Sequence, residues 1–123
     1  MEVDQLQNYC LNKNGTTEEM PFDNETLVFK VMGKMFMLLG LGRWERGEQA
    51  INVKCDPQTA IELREQFDGV VVGAFHMSKK HWNTINVNQS MPDVEVFTWI
   101  DHSYELVVFG MTKKLQAELK LLD

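Results

Sequence analysis

Thr26-Leu-Val-Phe-Lys-Val-Met-Gly-Lys-Met-Phe-Met-Leu-Leu-Gly-Leu41 is the stretch that decides the fold. Leu27, Phe29 and Val31 alternate with Val28, Lys30 and Met32, and a period of two is the signature of an extended strand. Gly33-Lys34 then suits a tight hairpin turn with glycine at its first central position. The return run from Met35 to Leu41 is apolar on both faces, which marks a central strand of a sheet. Past a loop from Gly42 to Gly47, Ile51, Val53 and Cys55 alternate with Asn52 and Lys54. Three such strands in succession form an antiparallel meander.

Working outward, Val3, Leu6 and Cys10 have helical spacing and end near Asn14-Gly15, a pair that permits a left-handed cap. The acidic segment from Thr16 to Asn24 reads as a connector. On the other side Asp56-Pro57 opens a helix, with Asp as N-cap and Pro in the first turn, and Ala60, Leu63 and Phe67 supply its buried stripe. An irregular stretch from Val70 to Lys80 leads to a fourth strand, Trp82 to Val87. From Pro92-Asp93 a long helix carries Phe97, Ile100, Tyr104, Val107, Val108 and Met111 on one stripe, and Asp101-His102-Ser103, weak helix formers, are a place where it can split. Thr112 caps a last helix with Leu115, Leu119 and Leu122. The expected architecture is one α+β domain over residues 1–123, an antiparallel sheet of about four or more strands backed by helices.

Charge narrows the function classes. The net charge of -6 opposes generic nucleic-acid coating, because steering toward phosphate needs positive potential. Cations are nevertheless concentrated: residues 26–54 hold five Lys or Arg against two acids, whereas residues 1–25 hold one Lys against six. A locally basic face on an acidic protein is thus expected. The two cysteines, Cys10 and Cys55, lack CxxC spacing and read as reduced core thiols. No apolar run reaches the length of a membrane span and the N-terminus is acidic, so a cytoplasmic protein without a membrane partner is expected.

Several stretches resemble the MmcQ/YjbR family: Val53-Lys-Cys-Asp-Pro57 leading into Leu63-Arg-Glu, His76-Met-Ser-Lys-Lys-His-Trp-Asn-Thr84, Met91-Pro-Asp, and Asp101-His-Ser-Tyr-Glu-Leu-Val-Val108. The Lys-His-Trp core and the Ser-Tyr-Glu-Leu-Val run are the specific parts. The resemblance implies a CyaY-like, double-wing α+β fold. It also implies the DNA-binding role with which members are labelled on structural analogy.

Two basic-aromatic patches are the candidate binding residues. In Lys79-Lys80-His81-Trp82 the lysines can hold phosphates while Trp82 or a neutral His81 stacks on a ring, or else Trp82 packs inward and the lysines are merely solvated. In Arg43-Trp44-Glu45-Arg46, placed on an inter-strand loop like a wing, Arg43 and Arg46 can clamp phosphate with Trp44 stacking, or Trp44 can fold over the sheet edge. With the outward Lys54 these five cations would give a slope of log affinity against log salt of about -4.5 on DNA. Two rival readings stand beside DNA: a protein-interaction adaptor using the acidic helical surface, and a small-ligand-binding protein or enzyme with a pocket near His76, His81 and Trp82.

Catalytic and metal motifs are sparse. Asp101, His102 and Ser103 are the three residue types of a hydrolytic triad, but successive helix residues point in different directions. The family resemblance implies that Ser103 and Tyr104 are structural, with Tyr104 in the buried stripe and Ser103 bonding locally. His76 and His81 have no Cys or helical His partner for zinc, Gly40-Leu-Gly42 does not extend to a dinucleotide fingerprint, and no Walker-type sequence occurs. No metal or cofactor is expected, and a binding module is expected rather than an enzyme.

Overall fold

In the computed structural model, which describes residues 1–122 and leaves Asp123 outside, the chain runs α1 (Val3–Leu11), β1 (Thr16–Glu19), β2 (Thr26–Val31), β3 (Lys34–Gly40), α2 (Leu41–Glu45), β4 (Ala50–Lys54), α3 (Pro57–Gln66), β5 (Val71–Gly73), β6 (Trp82–Asn86), α4 (Asp93–Phe109) and α5 (Lys113–Leu121). The strands form one sheet in the order β1-β2-β3-β4-β6-β5, and every neighbouring pair is antiparallel. The α+β reading holds.

The central hairpin forms as expected, with its turn one residue earlier. Val31 pairs with Lys34, so Met32 and Gly33 are the central residues, with φ of 51° and 82°. That left-handed pair matches the twist of the flanking strands, and glycine therefore serves the second position rather than the first. A register shift after Phe29 leaves Phe36 as the extra residue of a bulge, and its ring packs edge-on against Tyr104 with centroids 5.4 Å apart.

Four other expectations need correction. Thr16–Glu19 is an edge strand, its acidic side chains outward and Glu19 ion-paired with Lys30 across β1 and β2. Polar edge residues of this kind hide a strand from a hydrophobic pattern and also discourage unwanted pairing. The stretch after Gly40 is helix α2 rather than a wing-like loop, and its Trp44 is buried in the core. The irregular stretch contains β5, only three residues long. Helix α4 runs unbroken through Asp101, His102 and Ser103, because tertiary partners outweigh their weak propensity.

Those partners diverge. Asp101 accepts from the Tyr9 hydroxyl at 2.6 Å and pairs with Lys13, tying α4 to α1. His102 Nε2 accepts the Asp56 N–H at 3.2 Å. Ser103, fully buried, donates its hydroxyl to the Phe36 carbonyl and accepts the Lys54 N–H at 2.9 Å, so it bonds far away in sequence rather than locally. The β3–β4 ladder stops at Met37 opposite Val53, and the Ser103 hydroxyl bridges the next two strand positions. The three side chains do not converge, which disposes of the triad.

The core draws on all five helices, through Leu6 and Cys10, Trp44, Ala60 and Leu63, Val96 and Ile100, and Leu119, packed on Leu27, Phe29, Leu39, Ile51, Val53 and Ile85 of the sheet. By alternation those sheet residues share one face. Their neighbours in sequence lie on the other and are absent from the core cluster. Asp56 caps α3 by accepting the Thr59 N–H at 3.1 Å, and Thr112 caps α5 through the Leu115 N–H at 3.2 Å, both as expected.

Replacing Ser103 with alanine strands a buried carbonyl and a buried amide together, at a cost of about 2 kcal/mol. The melting midpoint of Ser103→Ala is expected to fall by about 5–10 °C, with native secondary structure retained at low temperature. A midpoint unchanged from the parent would remove the bridge from the account of the fold.

Candidate functional site

The strand registers align Glu19, Val28, Leu38, Asn52, Thr84 and Val72 in one row across all six strands. This row lies on the face away from the helices. Val28 is fully buried, but Leu38, Asn52 and Thr84 are half-buried and Val72 is exposed. Over Leu38, Asn52 and Thr84 of this row opens a groove of about 600 Å³. Its floor is Leu38, Gly40, Ala50, Asn52, Thr84 and Asn86, with Asp23, Glu25, Arg43, Arg46 and Glu48 at one end and Phe75 and His76 at the other.

The charged end is built by the turn before β2 and by α2. Asp23 accepts the N–H of Glu25 at 2.9 Å and of Thr26 at 2.7 Å, and these backbone bonds hold its carboxyl below the ordinary range. The Glu25 carbonyl accepts the Leu41 N–H at 2.7 Å, which sets the start of α2 beside the turn. A Cβ added at Gly42 would lie 2.6 Å from Glu25 Oε2, so only glycine lets this carboxylate rest against α2. Arg43 and Arg46 are exposed, and among the described residues the ion pairs are Lys13–Asp101 and Lys30–Glu19, so neither guanidinium is paired.

The floor is polar but largely self-satisfied. Thr84 donates to Asn52 Oδ1 at 2.6 Å, and Asn52 Nδ2 contacts Met77 Sδ at 3.7 Å, which lays the β5–β6 loop against the open face. Asn86 Nδ2 donates to the carbonyls of Gly69 and Val70 at 3.3 and 3.2 Å. At the far end Phe75 is 69% exposed, its ring meeting that of His76 edge-on at 4.2 Å while Lys79 Nζ lies 5.8 Å from its centroid. His76 holds a left-handed φ of 64°, a conformation that costs a non-glycine residue energy and recurs at binding sites.

The expected site residues are thereby divided. Arg43 and Arg46 line the groove, and Trp44 between them points into the core. Lys54 and Trp82 face each other in the β4–β6 register, both half-buried, outside the groove lining. Lys79 and Lys80 line a second depression of about 340 Å³ with Pro57, Ile61 and Arg64. Arg64 donates to Asn83 Oδ1 at 2.8 Å and to the Lys79 carbonyl, which fixes that part of the loop to α3. His81 is exposed and its carbonyl accepts the Cys55 N–H at 2.8 Å. Of the pocket expected near His76, His81 and Trp82, His76 alone lines the groove.

Asp23, Glu25, Glu48, Asn52, Phe75, Thr84 and Asn86 had no local sequence signal as lining residues. The available clue was alternation, since the expected strand inward at Ile51 and Val53 places Asn52 on the opposite face.

A sequence model of the YjbR family matches residues 11–106. The chain belongs to the YjbR family. Among relatives, the uncharacterized Escherichia coli O157:H7 protein YbdF is 35% identical over 100 residues, covering 81% of this chain and 79% of that one. The uncharacterized protein YjbR of Escherichia coli K12 is 28% identical over 108 residues, covering 88% of each. The crystal structure of Deinococcus radiodurans protein DR2400, domain DUF419, superposes with a TM-score of 0.87 at 32% identity, over 96% of this chain and 87% of that one. A Pseudomonas syringae protein superposes with a TM-score of 0.72 at 25% identity, over 86% of this chain and 98% of that one. The six-stranded antiparallel sheet with its helices is thus the fold of the DUF419 structure. No helix among the described residues is long and apolar enough to cross a membrane.

Thiol chemistry is remote from the groove of this YjbR-family chain. Burial pushes Cys10 up to about 12 and Cys55 up to about 11, and burial also raises Tyr9, beside Asp101, to about 12. Folding favours the protonated forms, so their stabilising contribution is complete below the unfolded thiol pKa of about 8.5 and is lost as pH rises through the folded values. Stability is expected to decline between pH about 9 and about 12 in urea titrations, less steeply in Cys10→Ala. At about pH 8, below the range of that decline, native protein should leave both buried thiols unlabelled by Ellman's reagent until urea is added. Rapid labelling of the native state would show that one thiol is accessible after all.

Proposed function

We propose that this YjbR-family chain is a binding module that takes a small polar molecule into the groove on the open face of its sheet. One observation carries the reading: Arg43 and Arg46 share a single concavity with the carboxylates of Asp23, Glu25 and Glu48, yet none of the five is ion-paired with another. Charged groups without ion-pair partners converge on one concave site with an apolar lip at Phe75, and its volume falls in the usual range of small-molecule pockets, although its lining is more polar than most.

Duplex DNA is the less favoured occupant. The groove holds one more carboxylate than guanidinium, and Lys79 and Lys80 belong to a separate depression. A duplex presents a negative charge about every 1.7 Å along its axis, and the groove's carboxylates meet it as repulsion.

The test is a two-dimensional amide NMR screen of a small-molecule library against the intact protein, run beside a random duplex at about 50 mM salt. Library hits are expected to shift the amides of residues 40–52 and 84–86, and the duplex to leave them unmoved. Duplex binding with a log-log salt slope near -4.5, weakened in Arg43→Ala and Lys79→Ala alike, would restore the DNA reading and retire this one. Hits confined to other surfaces would also end it.

A further inference from the structure

We infer that the groove takes an α-amino acid zwitterion, or a molecule ending in the same ammonium-carboxylate head, with an apolar or aromatic body. This rests on the groove reading above and names its ligand class. The charged end is held together by backbone contacts between the turn before β2 and α2. Glu25 packs against the first turn of α2, at Gly42, and the next residue of that turn is Arg43. Arg46, one residue past α2, and Glu48 complete the same end. Acids and guanidiniums thus occupy one corner without neutralising each other.

Three simpler ligand classes fit this corner less well. A phosphate-rich molecule gains two guanidiniums but meets three carboxylates, of which Asp23 is held ionised by its backbone bonds. A polyamine meets the guanidiniums as like charges. A neutral molecule covers both sets without compensating either. A head group with opposite charges on one carbon answers both, the carboxylate to Arg43 and Arg46, the ammonium to Glu25 and Glu48.

The rest of the groove then suits the body of such a molecule. Leu38, Gly40 and Ala50 leave a shallow apolar path beside Asn52 and Thr84, and it ends at Phe75 and His76. Phe75 is exposed at this end, with His76 edge-on to its ring and Lys79 Nζ 5.8 Å from its centroid, and it offers apolar surface to a ligand's ring or alkyl chain.

The probes are L-phenylalanine, N-acetyl-L-phenylalanine and L-phenylalaninamide, each titrated into the intact protein and followed by amide NMR. Free phenylalanine is expected to shift residues 25, 42, 43, 46 and 48 saturably, with each blocked form about tenfold weaker or worse, the loss of one charge-assisted contact. In Glu25→Gln the advantage over the acetylated form should shrink, and in Arg43→Ala/Arg46→Ala the advantage over the amide should shrink. Gly42→Ala, whose Cβ displaces the Glu25 carboxylate without altering any charge, should reproduce the Glu25→Gln result. All these positions are solvent-accessible, so melting curves near the parent's verify the folds. Equal binding of the free and blocked probes, or no groove shifts with any of them, overturns the zwitterion assignment. The groove reading itself then stands or falls on the library screen, which contains other chemistries.

Discussion

The Ser103 hydroxyl, inserted between the Phe36 carbonyl and the Lys54 amide, fastens the longest helix to the two central strands. Hydrogen bonds at a buried site are worth little net when made and much when lost, so this one specifies position more than it adds stability. It fixes the height of α4 over the sheet, and with it the depth at which Ile100 and Val107 enter the core. The β-bulge at Phe36 is part of the same device, because the extra residue turns its ring toward Tyr104 while its carbonyl meets the serine.

Once core side chains from all five helices are packed on one face, the shape of the other face is decided by what the strand ends bring to it. The reversal before β2 supplies Asp23 and Glu25, α2 supplies the arginines, and the β5–β6 loop supplies Phe75 and His76. Arg64 anchors the start of that loop's return through the Lys79 carbonyl, and Met77 rests on Asn52. The groove is thereby framed by segments whose backbones are tied down, the condition under which a shallow site can select among ligands.

The elements that sequence periodicity revealed are those whose side chains face the core. Leu27, Phe29, Ile51 and Val53 announced their strands because burial enforces alternation, and Asp56-Pro57 announced α3 because capping chemistry is local. β1 and β5 escaped because one is polar throughout and the other is three residues long, and edge strands need only one paired side. Trp44 illustrates a different failure. Flanked by charged residues and glycines it resembles a loop tip, but a single turn of helix after β3 swings it into the core and turns Arg43 outward. The groove is assembled from residues as distant as Asp23 and Asn86, so no local motif encodes it.

Charge arrangement separates the occupants more sharply than charge total. At about 4 Å two unit charges interact by about 1 kcal/mol in water and about 4 kcal/mol at the effective dielectric of a protein surface. A guanidinium flanked by carboxylates therefore favours an anion strongly only at contact distance. Beyond the screening length of about 8 Å at physiological salt its field is cancelled by its neighbours. A polyanion extends across many such lengths and feels the whole acidic protein, net -6, whereas a compact zwitterion carries no net charge and feels only the groups it touches. The mixed corner at Asp23, Glu25, Arg43, Arg46 and Glu48 consequently filters by ligand size as well as by ligand charge, and it does so because its arginines and acids share an end of the groove instead of pairing with one another.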